Sequence, residues 1–246
     1  MMMPGEQQRR RRHFHDELDG LQDKLLEMAG IVEELVRVAV TALEKRDPKP
    51  AEWIETKDDL VDQLEIEVDE RAMELLALQQ PMARDLRQVV ATLKVANDLE
   101  RVGDHAVNIA KAVRRLAEAP AFPAIPEVPE MAGIARGMLG DALAAFVSRN
   151  PANALVVCKR DEKVDNLRAS LFRILLTHML EEPRRITPAL ELLLISQNLE
   201  RIADLSTNIA EDVVFLVEGR TIKHHQDRDY EAGEGDKESF RDDSHM

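Results

Sequence analysis

The chain has 246 residues, a formal net charge of −14, and hydrophobic residues at 44% against aromatic residues at only 3%. So acidic a composition argues against nucleic-acid binding, which needs surplus Lys and Arg to neutralise phosphates, and suits divalent cations or basic protein surfaces. With few aromatics, Leu, Val, Ile and Ala must do the packing, which favours helices over sandwiches or barrels.

Residues 1–13 carry a basic run, Arg9 to Arg12, with no apolar core behind it. They read as a flexible tail able to touch anionic lipid, not as a secretory signal. Helical periodicity then sets in. Phe14, Leu18, Leu21, Leu25, Met28, Val32, Leu35 and Ala39 step by three or four and share one face. Pro48 and Pro50 end this helix, Pro81 ends the next, and Pro120, Pro123, Pro126 and Pro129 make a stiff linker at 119–129. Pro151 and Pro183 punctuate the second half in the same way. Six long helices are expected, at 14–46, 51–79, 82–117, 130–149, 151–180 and 186–217. Beyond them, 218–246 is polar, charged and too poor in apolar residues to fold, so a disordered tail is expected. It holds His224, His225 and His245, read as solvated.

Cys158 is the single cysteine, which excludes an intrachain disulfide and a thiolate zinc site and fits a reducing compartment. No apolar stretch looks long enough to cross a bilayer, so a cytoplasmic protein without a transmembrane segment is expected.

A repeat runs through the chain. NDLERVGDHAVNIAK at 97–111 returns as QNLERIADLSTNIAE at 197–211, and KDDLVDQL at 57–64 is echoed by RDEKVDNL at 160–167. Order is kept and the offset nearly so, which implies a duplicated three-helix unit, with copies at 14–118 and 130–217 on either side of the linker. The fold class is therefore all-α, two tandem three-helix bundles related by a pseudo-twofold.

Each copy carries two acidic pairs at i, i+4: Asp58 with Asp62 and Glu100 with Asp104, then Asp161 with Asp165 and Glu200 with Asp204. That spacing stacks like charges on one helix face, which costs a few tenths of a kcal/mol per pair. Acids at the margin of an apolar face need a counter-charge. A hard cation held by oxygen ligands supplies one. Ordinary salt bridges to Arg84, Arg87, Arg101 and Arg201 are the competing account. Asn108 and Asn208 lie a further turn along the same face. His105 points about 100° away from Asp104 and is expected to be exposed or bonded to a partner.

LERVGDHAVNIAK and LERIADLSTNIAE resemble the paired signature of the PhoU family, and KDDLVDQLE and QQPMARDLRQVVATLKVANDLE resemble its second and third helices. The resemblance covers roughly 14–217. It implies a fold of two tandem three-helix bundles, often as a homodimer. It implies a negative regulator of the phosphate-starvation response, linking the ATPase subunit of a phosphate ABC transporter to a membrane sensor histidine kinase. It also implies multinuclear iron or zinc, or otherwise Mn or Mg, on E/D-x-x-x-D motifs. By that resemblance the metal ligands are Asp58, Asp62, Glu100, Asp104, Asp161, Asp165, Glu200 and Asp204. Ala203 and Leu205 depart from the family pattern, which often has glycine and histidine there.

The leading function is thus a non-catalytic, metal-binding adaptor, cytoplasmic and peripheral to the inner membrane through its partners. The alternative is a metal-dependent enzyme, or a metal storage or sensing protein, on a carboxylate-rich bundle. The sequence lacks the Glu-x-x-His pairs of di-iron bundles, the P-loop, the GxSxG elbow and HExxH.

Overall fold

The computed structural model describes residues 4–222, with side chains from residue 13 onward. Seven α-helices and one 3₁₀ turn make up the described chain, with no strand among those residues. They are α1 (Pro4–Lys45), α2 (Ala51–Gln79), α3 (Arg84–Glu118), α4 (Glu127–Ser148), α5 (Pro151–Cys158), α6 (Asp161–Glu181) and α7 (Ile186–Glu218), with the 3₁₀ turn Pro183–Arg185 before α7.

Three boundaries differ from the expectation. Helix α1 starts at Pro4, so the backbone of the expected flexible tail is helical from there, while the Arg9–Arg12 side chains lie outside the described residues. Nearly all of the expected C-terminal tail lies outside them too, with His224, His225 and His245. The linker is shorter than expected. Helix α4 begins at Glu127, and Pro129 falls in its first turn, where a missing N–H costs no intrahelical bond. The expected fifth helix is two. Asn150 caps α5 by accepting from the Asn153 N–H, Pro151 takes the first position, and the chain breaks register at Lys159–Arg160. Arg160 keeps helical dihedrals, but its N–H bonds the Val157 carbonyl three residues back, tightening the turn.

Helices α1–α3 form one bundle and α4–α7 the other. The most extensive packing in the molecule is between them, α3 against α7, followed by α4 against α7 and α1 against α3. Leu99, Val102 and Ile109 on α3 and Ile195, Leu199 and Ile202 on α7 are fully buried in a single core shared by both halves. Each such side chain contributes about 1.5–3 kcal/mol of burial. The linker is also anchored: Phe122 is buried, its carbonyl accepts from Arg46 Nη2 at 3.1 Å, and its ring meets His178 edge-on at 5.3 Å.

Helix α4 corrects the expectation about bilayer-spanning stretches. It has 22 residues, and an 18-residue window within it reaches a mean hydropathy of 1.2, long and apolar enough by composition. Half of that window is buried in the fold, where α4 packs on α7 and α1, so its apolar character has a core function to serve.

Polar contacts cross the α3–α7 interface at three levels. Lys94 Nζ donates to Asp212 Oδ1 at 3.0 Å, His105 Nδ1 lies 2.9 Å from Asn198 Oδ1, and Arg115 Nε donates to Glu191 Oε1 at 2.9 Å. The pairing runs antiparallel, as a pseudo-twofold between the halves requires. Asp212 is 2% exposed, while Lys94 reaches the surface and lies over the Phe215 ring at 4.7 Å. Removing Lys94 would strand a buried carboxylate. Lys94→Ala is expected to cost about 2–4 kcal/mol in urea denaturation. Adding Asp212→Leu to Lys94→Met should recover most of that loss, because no unpaired charge then remains.

Candidate functional site

The acidic pairs line two seams at corresponding places in the halves, α2 against α3 and α6 against α7. In the first seam, Asp58 is half-buried on α2, and its Oδ1 is buried without a hydrogen-bond partner. The close approach that permits this comes from Gly103. A Cβ at that position would stand 2.5 Å from Asp58 Oδ1, so even alanine would drive the carboxylate away. The glycine in LERVGDH therefore makes room for an acid on the neighbouring helix.

Burial, and then the charges of Asp104, Asp62, Glu100 and Asp59, push the Asp58 carboxyl up to about 7. Burial first, then Asp104 and Asp59, raises Asp62. Burial first, then Asp104, Asp62 and Glu65, raises Glu100, with Arg101 opposing. The four expected acids of this half are thus within mutual electrostatic reach. A fifth, Glu65, joins them and is raised by burial, Asp69 and Asp62. Glu65 was not among the expected ligands. It sits three residues beyond Asp62, in step with Asp58, so heptad spacing is the signal that finds it.

The second seam has the same skeleton with different compensation. Asp161 is raised to about 6 by burial and by Asp204, Asp165 and Glu200, with the Thr207 hydroxyl acting in the opposite sense. Burial and Asp204 raise Glu200, and burial also raises Asp204, but arginines oppose both. Arg168 Nη1 donates to Glu200 Oε1 at 3.3 Å, and Arg201 Nη1 donates to Asp204 Oδ2 at 3.3 Å. Arg201 also lies 3.8 Å from Glu200. The salt-bridge account is therefore correct for Arg201 and overlooks Arg168. In the first half Arg101 reaches Asp98 instead, at 3.8 Å. Arg87 is placed beside Gly219 at the end of α7, not at the acids. Asn108 is exposed and Asn208 half-buried, each one turn beyond its aspartate.

Oxygen donors, mutual repulsion and an orphaned buried oxygen beside a glycine cradle fit a hard cation at the α2–α3 seam. Among the described residues, no three of these side chains are arranged to ligate one ion, so binding would require carboxylates to rotate inward. Cys158 offers no alternative chemistry. Burial and Glu211 push its thiol up to about 11, leaving it protonated at neutral pH.

A family model, the PhoU domain, matches the chain twice, over residues 25–113 and 128–213. The chain belongs to the PhoU family. It is 38% identical to the phosphate-specific transport system accessory protein PhoU homolog of Clostridium acetobutylicum, over 86% of this chain and 97% of that protein. It is 39% identical to the homolog of Zymomonas mobilis, over 90% of this chain and 94% of that protein. The crystal structure of PhoU from Pseudomonas aeruginosa superposes with a TM-score of 0.82 at 37% identity, covering 84% of this chain and all of the other. The phosphate transport system regulatory protein PhoU from Streptococcus pneumoniae gives 0.78 at 32% identity, over 85% of this chain and 98% of that one. The two matches fall one on each bundle, and each spans its own acidic seam.

The raised carboxyls make stability depend on pH with a definite sign. For Asp58, the folded value of about 7 exceeds the ordinary 3.8, so the folded state holds a proton the unfolded state releases. The stability tied to that proton is complete below about 3.8 and is lost as pH rises through about 7. Metal-free protein is expected to melt higher near about pH 5.5 than near about pH 8. Asp58→Asn should flatten that slope and raise the melting temperature at the higher pH by about 2–4 °C, read by calorimetry.

Proposed function

We propose that this chain is a non-catalytic regulator of phosphate uptake and phosphate-starvation signalling. It acts in the cytoplasm, as a homodimer, as a metal-binding adaptor between the ATPase subunit of a phosphate ABC transporter and a membrane sensor histidine kinase. It is peripheral to the inner membrane through those partners. The observation that carries this reading is the double PhoU match over nearly the whole folded chain, with relatives named as accessory proteins of phosphate-specific transport.

Two further features support an adaptor. The charge of −14 complements basic patches on partners. An adaptor also needs apolar surface left outside its core. Phe172, Leu176 and Leu180 on α6, and Ile186, Leu190 and Leu194 on α7, are exposed at four-residue spacing on neighbouring helices.

Asp58, Asp62, Glu100 and Asp104 would hold the metal in the first half, with Glu65 beside them. Iron, zinc, manganese or magnesium would supply positive charge there and relieve the repulsion that raises these carboxyls. The chain's own contribution is mechanical. Carboxylates on α2 and α3 that repel one another when unliganded are drawn together across the seam when neutralised. Seam geometry is thereby coupled to the outer faces of the same helices. Any bias this imposes on a partner is limited by the difference in affinity between the two states.

Glu100→Gln with Asp104→Asn should strip most metal from the first half, measured by elemental analysis, while leaving the helical circular dichroism unchanged. Adaptor function is tested with the full chain and the two purified partners in sedimentation or surface-binding experiments. Binding to both supports the reading, and binding to neither sinks it. In cells, loss of the gene should derepress a phosphate-starvation reporter in phosphate-rich medium.

A further inference from the structure

We infer that the two acidic seams are not equivalent, and that the α6–α7 seam carries its own counter-ion, the Arg168 guanidinium, leaving the α2–α3 seam as the one that takes a hard divalent cation. This rests on the metal-binding reading above and divides it between the halves.

The two seams correspond residue by residue. Along α2 the seam positions are Glu55, Asp58, Asp62, Glu65 and Asp69, spaced alternately by three and four. The echoed motif sets Asp58 against Asp161 and Asp62 against Asp165, so the corresponding residues of the second half are Cys158, Asp161, Asp165, Arg168 and Phe172. The middle pair is kept, and every flanking acid is replaced. One flank becomes a cation, another a thiol, and a third an aromatic ring. On the opposing helix Glu100 and Asp104 correspond to Glu200 and Asp204, while Gly103 becomes Ala203.

The changes to Cys158, Arg168 and Phe172 each remove an acid from the seam, whereas Lys111 runs the other way and becomes Glu211 beside Cys158. Arg168 sits at the mouth of the second seam, in a recess it lines with Asp165, Phe172, Leu193 and Glu200, and it donates directly to Glu200. Arg201 takes Asp204. A divalent cation would have to displace one guanidinium or lie beside it, in a site where its strongest oxygen donors already have charged partners. In the first seam Glu65 holds the position of Arg168 and adds to the negative field at Glu100. The nearby cations are turned to its margins. Lys111 Nζ stands 4.0 Å from Glu55, and Arg101 turns to Asp98. The glycine cradle belongs to this half as well. Gly103 lets the Asp58 oxygen approach to a distance that a Cβ would forbid, and the fully buried Ala203 supplies such a Cβ in the other half.

The test uses the full chain, stripped of metal and titrated with Mn²⁺, a hard ion chosen to discriminate against the histidines of the C-terminal segment. Free Mn²⁺ is followed by electron paramagnetic resonance and binding heat by calorimetry, with circular dichroism confirming the fold of each variant. One class of tight sites is expected in the wild type. Glu100→Gln with Asp104→Asn should abolish that class, and Glu65→Arg should weaken it by roughly a hundredfold. Asp161→Asn with Glu200→Gln should leave it within about twofold. Arg168→Glu, which copies the first seam's Glu65 into the second, should create an additional class.

If Mn²⁺ binding is lost equally from either pair of double substitutions, the seams are equivalent. The metal reading then survives and this inference does not. If folded Arg168→Glu gains no site, Arg168 is not the counter-ion and the inference is overturned. If neither the wild type nor Arg168→Glu binds Mn²⁺, the metal reading itself falls, and this inference falls with it.

Discussion

The packing of α3 against α7 is the constraint on which the other features depend. These are equivalent helices of the two copies, and their antiparallel contact joins two bundles into one core. A chain with 3% aromatics cannot fill such an interface with large rings, so it uses Val, Leu, Ile and Ala at close approach. Ala91, Ala96, Ala106 and Ala112 on α3 and Ala210 on α7 are all fully or almost fully buried, so small side chains carry much of the packing of these two helices. Because α3 and α7 commit one side to each other, the seams with α2 and α6 fall on their other flanks, at the margin of the core. Those margins are where the carboxylates sit.

Margins explain why these acids are perturbed and yet tolerated. A fully buried carboxylate pair would demand several kcal/mol of desolvation. Asp58 and Asp161 are half-buried, enough for neighbouring charges to act strongly while water still reaches the seam. The polar ties across α3–α7 follow a different rule. Lys94–Asp212, His105–Asn198 and Arg115–Glu191 are not reproduced by the pseudo-twofold. One hundred positions on, His105 becomes Leu205, and one hundred back, Asp212 becomes Ala112. Each tie exists once, so the duplicated chain holds the two halves in one heterologous register.

Much of this was legible in the sequence. The repeat of LERVGDH as LERIADL fixed which helices correspond, and proline punctuation located most boundaries. The failures have local causes. Pro129 reads as linker, yet the first turn of a helix has no use for that N–H, so α4 absorbs it. The break at Lys159–Arg160 carries no Gly or Pro, and both residues keep helical dihedrals, so composition gives no sign of it. The acids of the first seam were visible as i, i+4 pairs, but that template stops short of Glu65, which follows Asp62 by three. The helical position of His105, about 100° from Asp104, turns it away from the acids, and Asn198 is its partner.

Arg168 is the instructive omission. Arg101 and Arg201 stand inside the repeated motif, beside the acids they could neutralise. Arg168 is the residue immediately after the echoed segment 160–167, where the two copies no longer look alike. In a duplicated fold that divergence is itself a signal. The backbone and the central acids are held in common, so positions that differ at the same place in each copy report where the halves have separated in chemistry. Glu65 against Arg168 inverts a charge at one geometric location, and Gly103 against Ala203 alters the room available to the facing aspartate. Two such changes on opposing helices, one of charge and one of room, are more informative than either acidic motif read alone.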